Sequence, residues 1–147
     1  MALPNVKISF RETVFIDTSA LFALIADDDF LHKSAKLVMA KLTEKKARLV
    51  TTESVLFELA NGLSSVQFRS TTAQFIARIL TNDDIEIEWS SRNLFDRASE
   101  LYENRPDKEW SLTDCASFVV MNDRNISFAF TSDKHFEQAG FIKLLEI

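Results

Sequence analysis

The segment VFIDTSAL, residues 14–21, decides the fold class because it changes from strand to helix at one carboxylate. The β-branched and aromatic residues at 13–16 are typical of a strand, and helical spacing begins after Asp17. Either Asp17 or Thr18 is expected to cap that helix. A strand that ends in a carboxylate carries this group to the carboxyl edge of a sheet, where open α/β folds keep their sites.

The same alternation of strands and helices continues along the chain. Strands are predicted at residues 13–16, 49–51, 85–89, 127–130 and 142–145, and the one at 85–89 (IEIEW) has the pattern of an outer strand. Helices are predicted at residues 31–47, 53–63, 66–80, 94–102 and 112–123, with shorter helices after residues 17 and 133. Residues 1–10 are predicted to form a tail or an edge strand. This order predicts an α/β fold with a mostly parallel sheet of four to five strands, covered on both faces.

Length and composition describe one globular domain spanning residues 1–147. Hydrophobic residues make up 46% of the chain, and only 2 Gly and 2 Pro occur, which argues against disorder and favours long elements with short connections. No apolar run reaches the roughly 18–20 residues that cross a bilayer, and no secretory segment opens the chain, so no membrane association and a cytoplasmic location are expected. The 13 Phe are expected mostly in the core, and the single Cys115 is expected to be a small buried side chain.

The net charge of -5 does not favour bulk affinity for nucleic acid. It does not exclude such binding, because cations bound in an acidic site would offset part of the charge. Six basic residues are candidates for following phosphates, although solvated helix faces explain each of them equally well. They are Arg11, Lys33, Lys36, Lys45, Lys46 and Arg48.

Four acidic residues lie beside apolar runs, and they are the candidate site. They are Asp17, Glu58, Asp114 and Asp133. Carboxylates from distant parts of a chain that meet at one sheet edge repel one another unless a hard cation lies between them. Oxygen ligands without a set of ligating His or Cys favour Mg²⁺ or Mn²⁺ over zinc. A zinc or general-base role for His32 or His135 receives little weight, and Trp110 is expected to pack in the core or at the rim.

Each acid also has an ordinary structural explanation. Asp17 and Asp133 can cap the helices that follow them, and Asp114 fits a capping box with Ser111. Glu58 lies in the middle of a helix, where a charge needs a reason if it is buried. Helix starts in a parallel α/β fold lie at the same sheet edge as the site, so capping and a functional role are compatible.

The chain resembles the PIN domain family, and within it the ribonuclease toxins of VapBC-type toxin–antitoxin pairs. The resemblance rests on four segments that occur in the family's order: VFIDTSAL, ESVLFELAN (53–61), WSLTDCASFVVM (110–121) and FTSDKHFEQAGF (130–141). It implies a three-layer α/β/α fold with an acidic quartet around the metal. The quartet consists of Asp17, Glu58, Asp114 and Asp133, of which Asp17, Asp114 and Asp133 would bind Mg²⁺ or Mn²⁺ directly.

The resemblance also implies supporting residues, an activity and partners. Ser19 and Ser132 are similar to small hydroxyl residues that often accompany the quartet, and Thr18 and Ser132 are expected to orient water or the scissile phosphate. The implied activity is metal-dependent hydrolysis of RNA phosphodiester bonds, which leaves a 5′-phosphate and a 3′-hydroxyl. The implied partners are RNA, a cognate antitoxin protein and a second copy of the chain, which would pack on helices near residues 20–45 and 53–80.

Three alternatives stay open at this point. A haloacid-dehalogenase-like phosphatase needs a second Asp two positions after its nucleophile, but Ser19 occupies that position. A receiver domain needs an acidic pair that is not evident before Asp17. A non-toxin PIN-domain nuclease, or a PIN-like domain that binds RNA or protein without catalysis, remains, although the complete quartet argues against a non-catalytic role.

Overall fold

The computed structural model describes residues 6–146, in which five strands form one sheet. The strands are β1 (Thr13–Ile16), β2 (Arg48–Thr52), β3 (Ile85–Glu88), β4 (Phe128–Phe130) and β5 (Ile142–Lys143). Their order is β3-β2-β1-β4-β5, and every neighbouring pair is parallel. All five carboxyl ends therefore lie at one edge, as the prediction of a mostly parallel sheet required. The predicted outer strand is β3, which lies at one side of the sheet and ends at Glu88 rather than at residue 89.

Seven helices occur within residues 6–146 and complete a three-layer α/β/α arrangement. They are α1 (Thr18–Ile25), α2 (His32–Glu44), α3 (Glu53–Gly62), α4 (Val66–Thr81), α5 (Arg92–Asn104), α6 (Leu112–Asp123) and α7 (Lys134–Gln138). Helix α1 packs against α2, α3 and α4, while α6 packs against α5 and α7. No helix within these residues is both long enough and apolar enough to cross a membrane.

The central strand β1 brings the first and last quarters of the chain together. It lies between β2 and β4, and its Val14 and Phe15 are completely buried. Ile16 is paired in register with Phe130 of β4. Because the two strands are parallel, the residues that follow them, Asp17 and Thr131, lie side by side at the carboxyl edge.

An aromatic cluster around Phe118 fixes α6 and α7. The ring of Phe118 lies 5.0 Å from the rings of Trp110 and Phe136, with edge-to-face geometry in both pairs, and 5.7 Å from Phe141. Such pairs add to the stabilisation that burial alone provides. Trp110 is therefore a core residue, as expected. Cys115 is also buried, as predicted, and burial raises the pKa of its thiol to about 11.

Several predicted element ends are wrong by a few residues. Helix α2 ends at Glu44 rather than at residue 47, because Lys46 takes a left-handed φ of 52° and Ala47 N donates to Leu42 O at 2.9 Å. This hydrogen bond closes a Schellman-type end, which the sequence does not mark with the usual glycine. Helix α5 starts earlier than predicted because Ser91 caps it. Strand β5 stops at Lys143.

The possible edge strand at the N-terminus is not found among the described residues, whereas the phenylalanine-rich core is. Residues 6–10 form no strand, and the rest of the predicted tail, residues 1–5, lies outside the described residues. Nine of the 13 Phe are buried or partly buried, so the expectation of a phenylalanine-rich core holds. The exposed ones are Phe10, Phe30, Phe57 and Phe95.

Candidate metal and active site

Two of the predicted site residues also cap helices. Asp114 forms a capping box with Ser111 at the start of α6: Asp114 N donates to Ser111 Oγ at 3.0 Å, and Ser111 N donates to Asp114 Oδ2 at 3.1 Å. Asp133 precedes α7, and its Oδ1 accepts from His135 N at 2.9 Å. The structural explanation is thus correct for both residues, and it fixes each carboxylate at the same sheet edge.

Asp17 has no such capping role. It occupies the N-cap position of α1, but its side chain accepts no capping hydrogen bond from that helix. Its backbone N instead donates to Phe130 O at 3.1 Å, which continues the pairing of β1 with β4. Asp17 is only 4% exposed. A buried carboxylate that does not cap its helix is costly to keep and calls for another explanation.

A directional chain of hydroxyl groups ends on Asp17. Thr131 Oγ1 donates to Asp17 Oδ2 at 3.0 Å and accepts from Asp133 N at 3.0 Å. The Thr131 hydroxyl has only one hydrogen, which it donates to Asp17. Ser19 Oγ must therefore donate to Thr131 Oγ1, at 2.9 Å, and it accepts in turn from Ser132 N at 3.0 Å. The hydrogen bonds therefore all run towards Asp17, and they join the residue after β1 to the turn after β4.

Burial raises the pKa of the Asp17 carboxyl from an ordinary 3.8 to about 7. The backbone N–H of Thr18 lowers this pKa, the charge of Asp114 raises it, the Thr131 hydroxyl lowers it, and the charge of Glu58 raises it further. Asp114 and Glu58 are thus close enough to repel Asp17. A carboxyl held in this way takes up either a proton or a cation.

Asp114 and Asp133 meet in one cluster with a third residue, His135. One ligand atom from each of these three residues lies within 4.8 Å of the other two. Asp17 and Glu58 are outside that tight group. They are connected with it electrostatically, because the charges of Asp114 and Glu58 both raise the pKa of Asp17. Glu58 is exposed on α3, so its charge is not buried and needs no explanation of that kind.

Two residues outside the predicted site contact its carboxylates in the structure. His135 lies against both carboxylates, and Thr131 is the centre of the hydroxyl chain. The available signals were the position of Thr131 directly after β4 and that of His135 in the first turn of α7. Thr18 Oγ1, by contrast, is buried and has no hydrogen-bond partner among residues 6–146.

The residues present fit a divalent cation. Two carboxylates and an imidazole converge beside a third, buried carboxyl. Within the described part of the chain, no Lys or Arg forms an ion pair with Asp17, Glu58, Asp114 or Asp133. Carboxylate oxygens suit Mg²⁺ and Mn²⁺, and an imidazole also suits transition metals. The negative charge at this edge is therefore available to a cation.

Thr131→Val is expected to destabilise the protein by about 1–3 kcal/mol, because it leaves Asp17 Oδ2, Asp133 N and Ser19 Oγ without their shared partner. Urea unfolding in EDTA measures this loss. Thr131→Ser keeps the hydroxyl and is expected to lose only about 1 kcal/mol, which corresponds to one buried methyl group. Equal stability of wild type and Thr131→Val would contradict the importance of the hydroxyl chain.

Comparisons with known proteins agree with this architecture. The PIN domain family model matches residues 14–142. A curated relative, the 23S rRNA-specific endonuclease VapC20 of Mycobacterium tuberculosis, is 30% identical over 132 residues, which cover 89% of this chain and 97% of the relative. The crystal structure of that VapC20, described as a sarcin-ricin loop cleaving toxin, matches with a TM-score of 0.77 and 28% identity over 88% of this chain and 96% of the other.

More distant structures share the fold. VapBC2 from Rickettsia felis, bound to a DNA fragment from their promoter, matches with a TM-score of 0.66 and 16% identity over 89% of this chain and 96% of that chain. FitAcB from Neisseria gonorrhoeae matches with a TM-score of 0.64 and 12% identity over 90% and 96%. Since the family model covers most of the sequence and a curated relative aligns along nearly all of it, the chain belongs to the PIN domain family.

Proposed function

We propose that this protein is a Mg²⁺- or Mn²⁺-dependent endoribonuclease that hydrolyses RNA phosphodiester bonds and serves as the toxin of a toxin–antitoxin pair. The observation that carries the proposal is the convergence of carboxylates from three separate elements at the carboxyl edge of the sheet. Asp17 follows β1, Asp114 starts α6 and Asp133 follows β4. The family membership supports the same reaction, and it removes the phosphatase and receiver alternatives.

The proposed roles follow from burial and contacts. Asp17, Asp114 and Asp133 would hold the cation, which when bound lowers the pKa of a water and stabilises charge on the phosphate. Glu58 is exposed, yet it is close enough for its charge to raise the pKa of Asp17. We therefore assign it to orienting water at the rim of the site. Ser19 and Thr131 keep the Asp17 carboxyl in place through the hydroxyl chain.

Thr18 and Ser132 retain the proposed role of orienting water or phosphate. The Thr18 hydroxyl has no partner among residues 6–146, which supports an interaction with a group that binds there. Ser132 is partly exposed next to Asp133, and its backbone N is held by Ser19 Oγ. Hydrolysis in this site is expected to leave a 5′-phosphate and a 3′-hydroxyl.

A concave surface at the start of α6 offers space for RNA. A cavity of about 860 Å³ opens next to the capping box of α6, and Tyr102, Arg105, Lys108 and Trp110 are among its lining residues. The Arg105 guanidinium lies over the Trp110 ring at 4.9 Å, and the Tyr102 side chain is more than half exposed. Exposed aromatic and guanidinium planes are suited to stacking on unpaired bases.

The substrate and the partners are proposed from the relatives. VapC20 acts on 23S rRNA and cleaves the sarcin-ricin loop, and the similarity to it extends along nearly the whole chain, so this loop is the first RNA to examine. The structural neighbours include the VapBC2 assembly, which supports a cognate antitoxin as partner. A homodimer and a cytoplasmic location remain predictions that accompany the toxin role.

The test is cleavage of an RNA oligonucleotide containing the sarcin-ricin loop by purified protein free of antitoxin. Cleavage is expected with Mg²⁺ or Mn²⁺, to be absent in EDTA, and to be lost in Asp114→Asn. Asp83→Asn is the matched control, because Asp83 is exposed and precedes β3 at the opposite edge of the sheet. Metal-independent cleavage, or full activity of Asp114→Asn, would refute the proposed function.

A further inference from the structure

We propose that His135 is a positioning residue, which holds one oxygen of Asp114 and one of Asp133 and leaves the second oxygen of each carboxylate to the cation. This inference rests on the proposed function, because it assigns the two carboxylates to a metal. It adds a residue that the acidic quartet does not contain.

The imidazole forms a hydrogen bond with Asp114 and lies close to Asp133 through the same nitrogen. His135 Nδ1 lies 3.0 Å from Asp114 Oδ2 and 3.4 Å from Asp133 Oδ1. A carboxylate oxygen can only accept, so Nδ1 must carry the hydrogen. The backbone N of the same residue donates to Asp133 Oδ1 at 2.9 Å. His135 therefore directs two N–H groups at this pair of acids.

Each carboxylate then has one engaged oxygen and one that is free. Asp114 Oδ2 accepts from Ser111 N as well as from the imidazole. Among residues 6–146, neither Asp114 Oδ1 nor Asp133 Oδ2 accepts a hydrogen bond. Fixing one oxygen by a donor stops the carboxylate from rotating, so the other oxygen keeps a defined direction. Outer hydrogen bonds of this kind orient metal ligands.

The position of the imidazole is itself fixed by the core. His135 lies in the first turn of α7, and the next residue, Phe136, is completely buried against Phe15 and Phe118. The His135 side chain is only 18% exposed. The burial of Phe136 thus fixes the backbone that carries the imidazole beside the two carboxylates. Without the imidazole, two carboxylates with oxygens in close proximity would repel each other and turn apart.

The other histidine shows what an ordinary structural imidazole looks like in this protein. His32 Nδ1 lies 2.7 Å from the backbone O of Ala23, a contact between α2 and α1. It does not belong to the acidic cluster. His32→Asn therefore serves as a control for the removal of an imidazole away from the site.

The experiment measures Mn²⁺ affinity by calorimetry and by electron paramagnetic resonance, without RNA, for wild type and three variants of His135. His135→Phe removes the donor but keeps a planar ring, and His135→Gln moves the amide donor away from the δ position. Both are expected to weaken Mn²⁺ binding by about 10–100-fold. His135→Asn keeps an N–H donor at the position of Nδ1, and it is expected to retain most of the affinity, as is His32→Asn.

Three results would overturn the inference. Equal Mn²⁺ affinity of wild type and His135→Phe would show that the imidazole does not position the carboxylates. Hyperfine coupling from a His135 nitrogen to bound Mn²⁺ would show that it is a direct ligand instead. Failure of the folded wild type to bind Mn²⁺ at all would refute the proposed metal site, and the role of His135 with it. The first two results leave the proposed nuclease activity in place.

Discussion

Asp17→Asn is expected to reduce RNA cleavage by on the order of 10³-fold, or about 4 kcal/mol, while the protein stays folded. The substitution removes one negative charge from the proposed ligand set and keeps the size of the side chain. Its amide oxygen still accepts from Thr131 Oγ1, so the hydroxyl chain remains. Because Asp17 makes no capping hydrogen bond, no helix end is lost. Single-turnover cleavage and circular dichroism together measure both parts of this prediction.

The control for this loss is again an acid-to-amide change outside the site. Asp83→Asn alters the net charge of the protein by the same amount and is expected to cleave at the wild-type rate. If Asp17→Asn retained activity within about tenfold of wild type, or 1.4 kcal/mol, the reaction centre would have to lie away from β1.

The same substitution is expected to stabilise the metal-free protein at pH 8 by up to about 4 kcal/mol. The pKa of Asp17 is about 7 in the folded protein and 3.8 ordinarily, and each unit corresponds to about 1.4 kcal/mol. Between these values the folded state binds the proton more tightly than the unfolded state does. The contribution of Asp17 to stability is thus complete below pH 4 and is lost as pH rises through about 7.

The measurement is the free energy of unfolding in urea with EDTA, for wild type and Asp17→Asn, from pH 4 to pH 8. The difference between the two is expected to be small near pH 4 and to favour the variant increasingly up to pH 8. Saturating Mn²⁺ at pH 8 is expected to stabilise wild type more than the variant, since binding to the folded state alone raises stability. A difference that does not change with pH would show that Asp17 is not held at a raised pKa.

The two expected results together would identify Asp17 as a residue that lowers stability but is needed for cleavage. A buried carboxylate next to other acids weakens the metal-free fold above its pKa, and a bound cation would offset that cost. Proteins often keep such destabilising groups at their active sites. Asp17→Asn is expected to lower cleavage and to raise stability. A variant that lost activity because it unfolded would instead lose both.

The sequence predicted the fold well because its elements are long and their periodicity is clear. Strand β1 and the acid after it, for example, are evident from apolar residues followed by Asp17. Caps at Asp114 and Asp133 were also predictable, because capping depends on residues within one helical turn. Local patterns therefore identified the end of β1, the start of α6 and the acids that lie beside them.

The details that depend on contacts between distant residues were not predictable in this way. Thr131 reaches Asp17 only because β4 pairs with β1 in one particular register. His135 reaches Asp114 only because the Phe118 cluster places α6 next to α7. The end of α2 at Glu44 depends on the left-handed backbone of Lys46, a position that no glycine marks in the sequence. Spacing along the chain contains none of this information.

The central place of β1 in the sheet has a consequence for synthesis on the ribosome. Asp17 and Thr131 are separated by 114 positions in the chain, so β1 must wait for β4 before the edge that carries the acids exists. At about 5–20 residues per second, translation of that interval takes roughly 6–23 s. A nascent chain would therefore carry no assembled nuclease site during most of its synthesis, and a prematurely terminated product that lacks β4 would be inactive.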